Sequence, residues 1–116
     1  MFVTFEGYIS EIGDDRFIMT HFDDKIRNVI SNYNVDFVPL VGKNQVKVKS
    51  GYWKKLTNAH CFAEFISQFM GHNVSVTVAV RKNTFADKKS TSLSLLLKSI
   101  HATDPETTTT FSTQIN

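Results

Sequence analysis

Alternating apolar and polar residues predict strands at both ends of the chain. At the N-terminus, residues 2–12 place Val3, Phe5 and Ile9 on one parity, with Gly7 between them. A glycine inside a strand is typical of a bulge or of a bend at a barrel corner. Turn-forming residues at 13–15 then predict a hairpin that leads into a second strand over residues 16–22.

The second half of the chain shows the same period. Residues 74–81 alternate valine with smaller or polar residues, which predicts a half-buried strand. Residues 82–90 predict a basic loop with Phe85 near its middle. Leucines at alternate positions from residue 93 predict a last strand that continues to about His101.

The region between these strands changes to a helical period. A cap at Thr57 or Asn58 predicts a helix that ends near Met70, with Gly71 beyond its C-terminus. Its apolar residues recur at i, i+3, i+4 and i+7 and must face a core. They are Phe62, Phe65, Ile66 and Phe69.

Residues 23–45 permit two interpretations. Apolar spacing after Asp23 and Asp24 favours a short helix, whereas the β-branched content of residues 26–31 also permits a strand. Residues 35–41 are extended, and Pro39 favours an edge or a loop there. Beyond them, residues 45–49 alternate valine and lysine and predict a short strand.

Length and composition indicate a single globular domain. The chain has 116 residues, 41% of them apolar, which suffices for one core. We predict one domain over residues 1–103 and a flexible tail over residues 104–116.

The formal net charge of +2 is unevenly distributed along the chain. Residues 1–40 carry a net charge of −4, residues 41–103 carry +8, and the tail carries −2. A local positive excess favours an anionic partner, although a solvated basic face is the commoner cause of such an excess.

Cysteine content and the N-terminal sequence predict an intracellular protein. Cys61 is the one cysteine, so no internal disulfide forms, as is usual in reducing compartments. The N-terminus lacks a basic segment and carries Glu6, which argues against a signal peptide. No apolar run approaches the ~18 residues of a membrane span. We therefore expect a cytoplasmic or nuclear protein that has no membrane partner. If the protein is viral, we expect it inside the host cell.

The sequence holds no motif of a metal site or of a catalytic centre. His60, Cys61 and His72 match no standard zinc spacing, and we expect Cys61 to fill a small buried apolar position. The paired acids at 14–15 and 23–24 are explained as a turn and a helix cap. We therefore expect no catalytic residue, no metal and no cofactor, and a protein that is not an enzyme.

The order strand, strand, strand, helix, strand, strand resembles the OB-fold, a five-stranded Greek-key barrel with a helix between its third and fourth strands. The resemblance covers residues 2–103 and rests on element order. It implies a mainly β protein whose helix plugs one end of the barrel. A ferredoxin-like sandwich is the alternative, but it requires two full-length helices on one face.

Proteins of the OB-fold commonly bind single-stranded nucleic acid on the face around barrel strands 2 and 3, flanked by the loop between strands 4 and 5. Lysines neutralise phosphates, and aromatic rings stack on bases with little sequence preference. In this chain, basic and aromatic residues both occur at the third barrel strand and in the loop between the fourth and fifth barrel strands. The resemblance implies a site formed by Lys47, Lys49, Tyr52, Trp53, Lys54, Lys55, Arg81, Lys82, Phe85, Lys88 and Lys89.

The stretch from Val46 to Leu56 leaves one point open. Tyr52 and Trp53 are adjacent, so in an extended segment their side chains point to opposite faces. We expect one ring to be buried, and the sequence does not decide which one.

Our first hypothesis is a non-enzymatic protein that binds single-stranded DNA or RNA in replication, recombination or repair. It resembles the compact single-stranded-DNA-binding proteins of phages, viruses and mobile elements, and we expect a homodimer or cooperative binding. A protein-interaction module or viral accessory factor that uses the same basic surface is the alternative. Many such DNA-binding proteins end in a strongly acidic tail, whereas this tail holds only Asp104 and Glu106.

Overall fold

A computed structural model describes residues 1–85 and 89–104. Lys88 and residues 105–116 therefore lie outside the described residues, and with them almost all of the predicted tail. A single turn of 3-10 helix spans Trp53–Lys55. The other elements, in chain order, are β1 (Phe2–Ile12), β2 (Arg16–His21), α1 (Lys25–Ser31), β3 (Leu40–Gly42), β4 (Gln45–Lys49), α2 (Phe62–Ser67), β5 (Asn73–Phe85) and β6 (Ser90–Ala102).

Five of the strands close into a barrel. β1 pairs antiparallel with both β2 and β5, β2 pairs antiparallel with β4, and β5 pairs antiparallel with β6. β6 and β4 are parallel neighbours, which closes the ring. With α2 between the third and fourth barrel strands, this is the predicted OB-like topology, and the fold prediction is confirmed.

The barrel interior is filled by the apolar parity of each strand. Val46 and Val48 of β4 are fully buried, as predicted from their alternation with lysine. The α2 stripe closes one end of the barrel, where Phe62 stacks on Phe17 with ring centroids 6.1 Å apart. Phe65 and Ile66 are also buried, so the predicted plugging role of this helix is confirmed.

The ambiguous region contains a helix followed by an extended segment. Ile26 and Ile30 of α1 are buried, one helical turn apart, which settles the choice in favour of the helix. The chain then runs between β6 and β4: the Leu93 amide donates to the Phe37 carbonyl (2.9 Å), and the Lys47 amide donates to the Pro39 carbonyl (2.9 Å). We call residues 36–42 the bridging segment.

Helix α2 is shorter than predicted. It begins at Phe62, because the backbone is still extended at Cys61 and the His60 amide donates to the Glu64 carboxylate (2.9 Å), which stabilises the helix start there. Thr57 instead accepts a hydrogen bond from the Ala59 amide in a local turn. Cys61 is exposed, so the prediction of a buried apolar position was wrong.

The described part of the predicted basic loop at 82–90 is mostly strand, so that prediction was wrong there. β5 continues to Phe85, which pairs with Ser90 at the start of β6, so the two strands form one long hairpin. The outer part of this hairpin pairs polar with polar residues, such as Thr84 with Thr91. Residues 83–85 and 89–92 at its outer end are all exposed or half-buried, so the apolar alternation that identifies a strand in sequence is missing there.

Gly7 lies where β1 is shared by two neighbours, opposite His21 of β2 and Val74 of β5. A Cβ atom at Gly7 would collide with the Thr20 carbonyl oxygen and approach the His21 Cα to 2.9 Å. The bulge itself lies further along β1, between Ile9 and Glu11. The glycine is therefore required by close backbone approach.

We expect Gly7→Ala to lower the free energy of unfolding by about 3 kcal/mol, since backbone would have to move. Gly13→Ala in the same hairpin is the control, because its nearest contact would be 3.4 Å from the Arg16 carbonyl oxygen. Its expected cost is below about 1 kcal/mol. Urea unfolding of both variants measures the difference, and equal costs would contradict the close-approach explanation.

Candidate functional site

Lys47 and Lys49 lie on the outer face of the barrel. Their direction follows from the strand period: Val46 and Val48 fill the interior, so the alternate positions of β4 point outward. Lys49 is exposed and Lys47 is half-buried. Both residues line a pocket on this face.

The first pocket, which we call the β6 pocket, lies where β4 and β6 diverge. Within the described residues, β4 and β6 are in register at one pair, Lys49 with Leu96, while the bridging segment fills the space beside it. The pocket has a volume of about 110 Å³. Its lining comes from three sources, the bridging segment, β4 and β6: Phe37, Val38, Pro39, Lys47, Lys49, Ser92, Leu93, Ser94 and Leu95.

A second pocket, the β2 pocket, lies on the other side of Lys47. Its volume is about 370 Å³. It carries charges of both signs and is lined by Glu11, Gly13, Arg16, Phe17, Ile18, Val41 and Lys47. Because Lys47 lines both pockets, they form one groove that runs from β6 across β4 to the β1–β2 hairpin, with the bridging segment along it.

The long hairpin extends the groove on the β6 side. Arg81 pairs with Ser94, and residues 81, 83 and 85 share one face of β5 because side chains alternate along a strand. Arg81 and Phe85 are both exposed on this face. Lys82, in contrast, pairs with Leu93 and points to the opposite face of the hairpin. Lys89 is exposed in the hairpin turn with a φ of 52°, next to Lys88 outside the described residues.

Trp53 is the ring that packs against the barrel end. Its ring lies edge-on to Phe62, with centroids 6.0 Å apart and an interplanar angle of 67°. Trp53 is half-buried and packs against the core cluster. Tyr52 is half-buried as well, so the expectation that one of the two rings is buried was wrong. The Trp53 indole is therefore placed for stability rather than for contact with a ligand.

Tyr52 is surrounded by cations. The ammonium nitrogen of Lys98 lies 4.5 Å from the Tyr52 ring centroid and 5.2 Å from that of Phe2, and the Lys55 ammonium is 5.9 Å from Tyr52. The Tyr52 amide donates to the Leu97 carbonyl of β6 (2.9 Å). The Tyr52 ring thus lies beside Lys98 on the outer face of β6, and Tyr52 lines neither pocket.

Lys54 and Lys55 are exposed on the 3-10 helix and line neither pocket. The structure therefore separates the predicted site residues. Lys47, Lys49, Arg81 and Phe85 lie along the groove and its hairpin extension, whereas Tyr52, Lys54 and Lys55 form a second group near Lys98.

The lysines of the groove are not neutralised by nearby acids. In residues 1–85 and 89–104, ion pairs are formed by Arg16 with Asp15 (3.3 Å) and by His72 with Asp104 (2.9 Å). No described carboxylate comes within 4.0 Å of an ammonium nitrogen of Lys47 or Lys49. Their positive charge is therefore available to a ligand.

Several groove residues were missed by sequence reasoning. Phe37 is 62% exposed and Val38 is 43% exposed, yet the sequence showed only an extended segment with a proline. Ser92 and Ser94 alternate with the leucines of β6, so the strand period could have placed them on the outer face. Sequence spacing could not show that β6 lies beside the lysines of β4.

Neither a metal-binding cluster nor a membrane-spanning helix accompanies the groove in the described ranges. Across the described ranges, no group of three or more His, Cys, Asp or Glu side chains is arranged to hold a metal ion. None of the helices in those ranges is long and apolar enough to span a membrane.

Comparisons with protein-family models, with curated proteins and with solved structures give no match to this chain. The function must therefore be argued from the groove itself.

The different roles of the two adjacent rings can be tested by alanine substitution. We expect Trp53→Ala to lower the free energy of unfolding by about 2–3 kcal/mol, because it removes packing against Phe62. Tyr52→Ala removes a surface cation–π contact and should cost about 1 kcal/mol. Denaturant unfolding compares the two variants, and a larger cost for Tyr52→Ala would overturn this assignment.

Proposed function

We propose that this protein binds single-stranded nucleic acid along the groove that joins the β2 and β6 pockets. The observation that carries the proposal is the position of Lys47 at the junction of the two pockets, with Lys49 beside it and no described acid paired to either. An unpaired row of ammonium groups on a barrel face favours a polyanionic ligand.

The groove also offers surfaces on which bases can stack. Phe37 is 62% exposed at the wall of the β6 pocket, and Phe85 is 49% exposed on the hairpin face that carries Arg81. Bases stack on aromatic rings regardless of sequence, and the interleaving of rings with cations is typical of single-strand binders. An acidic protein would use the lysines but would gain less from exposed rings.

The size of the β6 pocket, but not that of the β2 pocket, supports a long ligand held at several points. Pockets for small molecules enclose about 300–1,000 Å³ and bury most of the ligand. The β2 pocket lies within that range at about 370 Å³, whereas the β6 pocket encloses about 110 Å³ and is open to the surface. Such a pocket accommodates one group of a chain that continues beyond it. A lining of lysines, serines and apolar side chains supports binding without catalysis.

We expect a fluorescein-labelled oligo(dT) to bind with a strong dependence on salt, measured by fluorescence anisotropy. Four phosphate contacts, by Lys47, Lys49, Arg16 and Arg81, predict a log–log slope of about −2.8 for a single strand. Affinity should then fall about 50-fold between about 50 mM and about 200 mM salt. Absence of binding at the lower concentration would overturn the proposed function.

Charge-matched variants locate the groove. Lys47→Gln with Lys49→Gln should reduce the slope to about −1.4, because two of the four contacts are lost. Lys54→Gln with Lys55→Gln removes the same charge outside both pockets, and we expect the slope to stay near −2.8. If the second pair has the larger effect, the strand instead follows the Tyr52 surface.

A protein partner is the second candidate, and the apolar side chains of the bridging segment favour it. Phe37, Val38 and Val41 are each at least 43% exposed, and contiguous exposed apolar surface often marks a protein contact. Binding that depends on these side chains and little on salt would support this candidate. Three expectations from the sequence stay predictions: self-association, binding of DNA or of RNA, and a role in replication, recombination or repair.

A further inference from the structure

Ser94 is a polar residue at the bottom of the β6 pocket. It is only 5% exposed, yet it lies on the outward parity of β6 and lines the pocket. Its hydroxyl oxygen accepts a hydrogen bond from the Asn83 side-chain amide (2.9 Å). Since a hydroxyl is both donor and acceptor, the Ser94 proton remains to be donated to another group.

The other polar groups of this pocket are mainly donors. Lys47 and Lys49 carry ammonium groups, which donate and do not accept. Ser92 adds a half-buried hydroxyl, and Phe37, Val38 and Pro39 form an apolar wall. A ligand group that fits this environment is small, flat and rich in acceptors.

We propose that the β6 pocket is a base-reading subsite that prefers one keto pyrimidine, thymine or uracil, in a strand that otherwise binds without sequence preference. This inference rests on the proposed function. The O4 of thymine is an acceptor, where cytosine presents an amino donor. In the pocket, the Ser94 hydroxyl donates to the keto oxygen, and the lysines contact the adjoining phosphates.

The pocket volume limits the subsite to one base. About 110 Å³ leaves room for a single ring, while Lys47 separates this pocket from the β2 pocket. Asn83 acts as a positioning residue, because its amide donates to one of the two lone pairs of the Ser94 oxygen and so restricts the rotation of the hydroxyl proton. One keto pyrimidine in a strand should therefore give the whole gain in affinity apart from the statistical factor for the number of keto positions.

The test compares oligo(dC) strands of one length that contain zero, one, two or four central dT residues, by competition against the labelled oligo(dT). Thymine and cytosine are similar in size and both stack weakly. Comparing dT with dC therefore isolates the effect of a keto oxygen against an amino group. We expect the first dT to raise affinity about 10-fold, within the usual range for a base contact. Each further dT adds one more register that places a keto base in the single pocket, so two and four dT residues should give about 2-fold and about 4-fold more affinity than one.

Ser94→Ala should abolish this gain and leave the salt slope unchanged. Ser99→Ala is the matched control, since it removes an exposed hydroxyl from the same strand outside the pocket. Asn83→Ala keeps the Ser94 hydroxyl and should reduce the gain in part, which provides a second variant if Ser94→Ala unfolds. Circular dichroism verifies the fold of each variant.

The outcomes separate the two proposals. Salt-dependent binding with no gain from dT overturns the subsite and leaves the proposed function standing. A gain that multiplies by about 10-fold with each added dT, or that persists in Ser94→Ala, also overturns the subsite. Failure of every strand to bind overturns both.

Discussion

The bridging segment between β4 and β6 is the constraint on which the rest of the structure depends. This five-stranded barrel is closed by its third and fifth strands in parallel, yet β4 and β6 are in register at only one pair within the described residues, Lys49 with Leu96. Phe37 accepts from the Leu93 amide and Pro39 accepts from the Lys47 amide, so one extended stretch satisfies both strands. The Asp36 carboxylate also accepts from the Thr91 amide (2.8 Å), which fixes the stretch against β6. Closure of the barrel and the shape of the groove therefore have the same cause.

This arrangement explains why the candidate site combines residues that are far apart in sequence. The bridging segment holds β4 away from β6, and the opening between them becomes the β6 pocket. The pocket then receives lysines from one strand, serines from another and an aromatic wall from the bridging segment. Because neighbouring outward side chains on a strand are two residues apart, Lys47 and Lys49 remain on the same surface while the valines between them are buried. Core packing thus orients the charges as well as stabilising the barrel.

The sequence predicted the barrel well because each barrel strand has one solvent-exposed face and one buried face. The alternation of residues 45–49 and 74–80 encoded both the strands and their orientation, and the helical stripe of Phe62, Phe65 and Ile66 encoded the plug. Prediction failed where that contrast is lost. Residues 83–85 and 89–92 of the β5–β6 hairpin have no buried side chain, so their polar alternation resembled a loop. The start of α2 depends on a hydrogen bond from the His60 amide to Glu64, which propensity alone does not locate.

The candidate site was predictable by residue type and only partly by position. Lys47, Lys49 and Arg81 follow from strand parity, since each alternates with a buried or half-buried valine. Tyr52 and Trp53 could not be separated in advance, because the choice depends on a tertiary contact: the Phe62 ring holds the indole inward, and Lys98 reaches the phenol ring from β6. Lys98 also occupies the surface where a base would stack on Tyr52. A strand that used this ring would have to displace an ammonium group from it, whereas the Phe37 ring has no described cation over it. Stacking of a base is therefore less costly on Phe37 of the bridging segment than on Tyr52. The segment that closes the barrel thus also makes the groove a better binding surface than residues 46–56, the most basic aromatic stretch of the sequence.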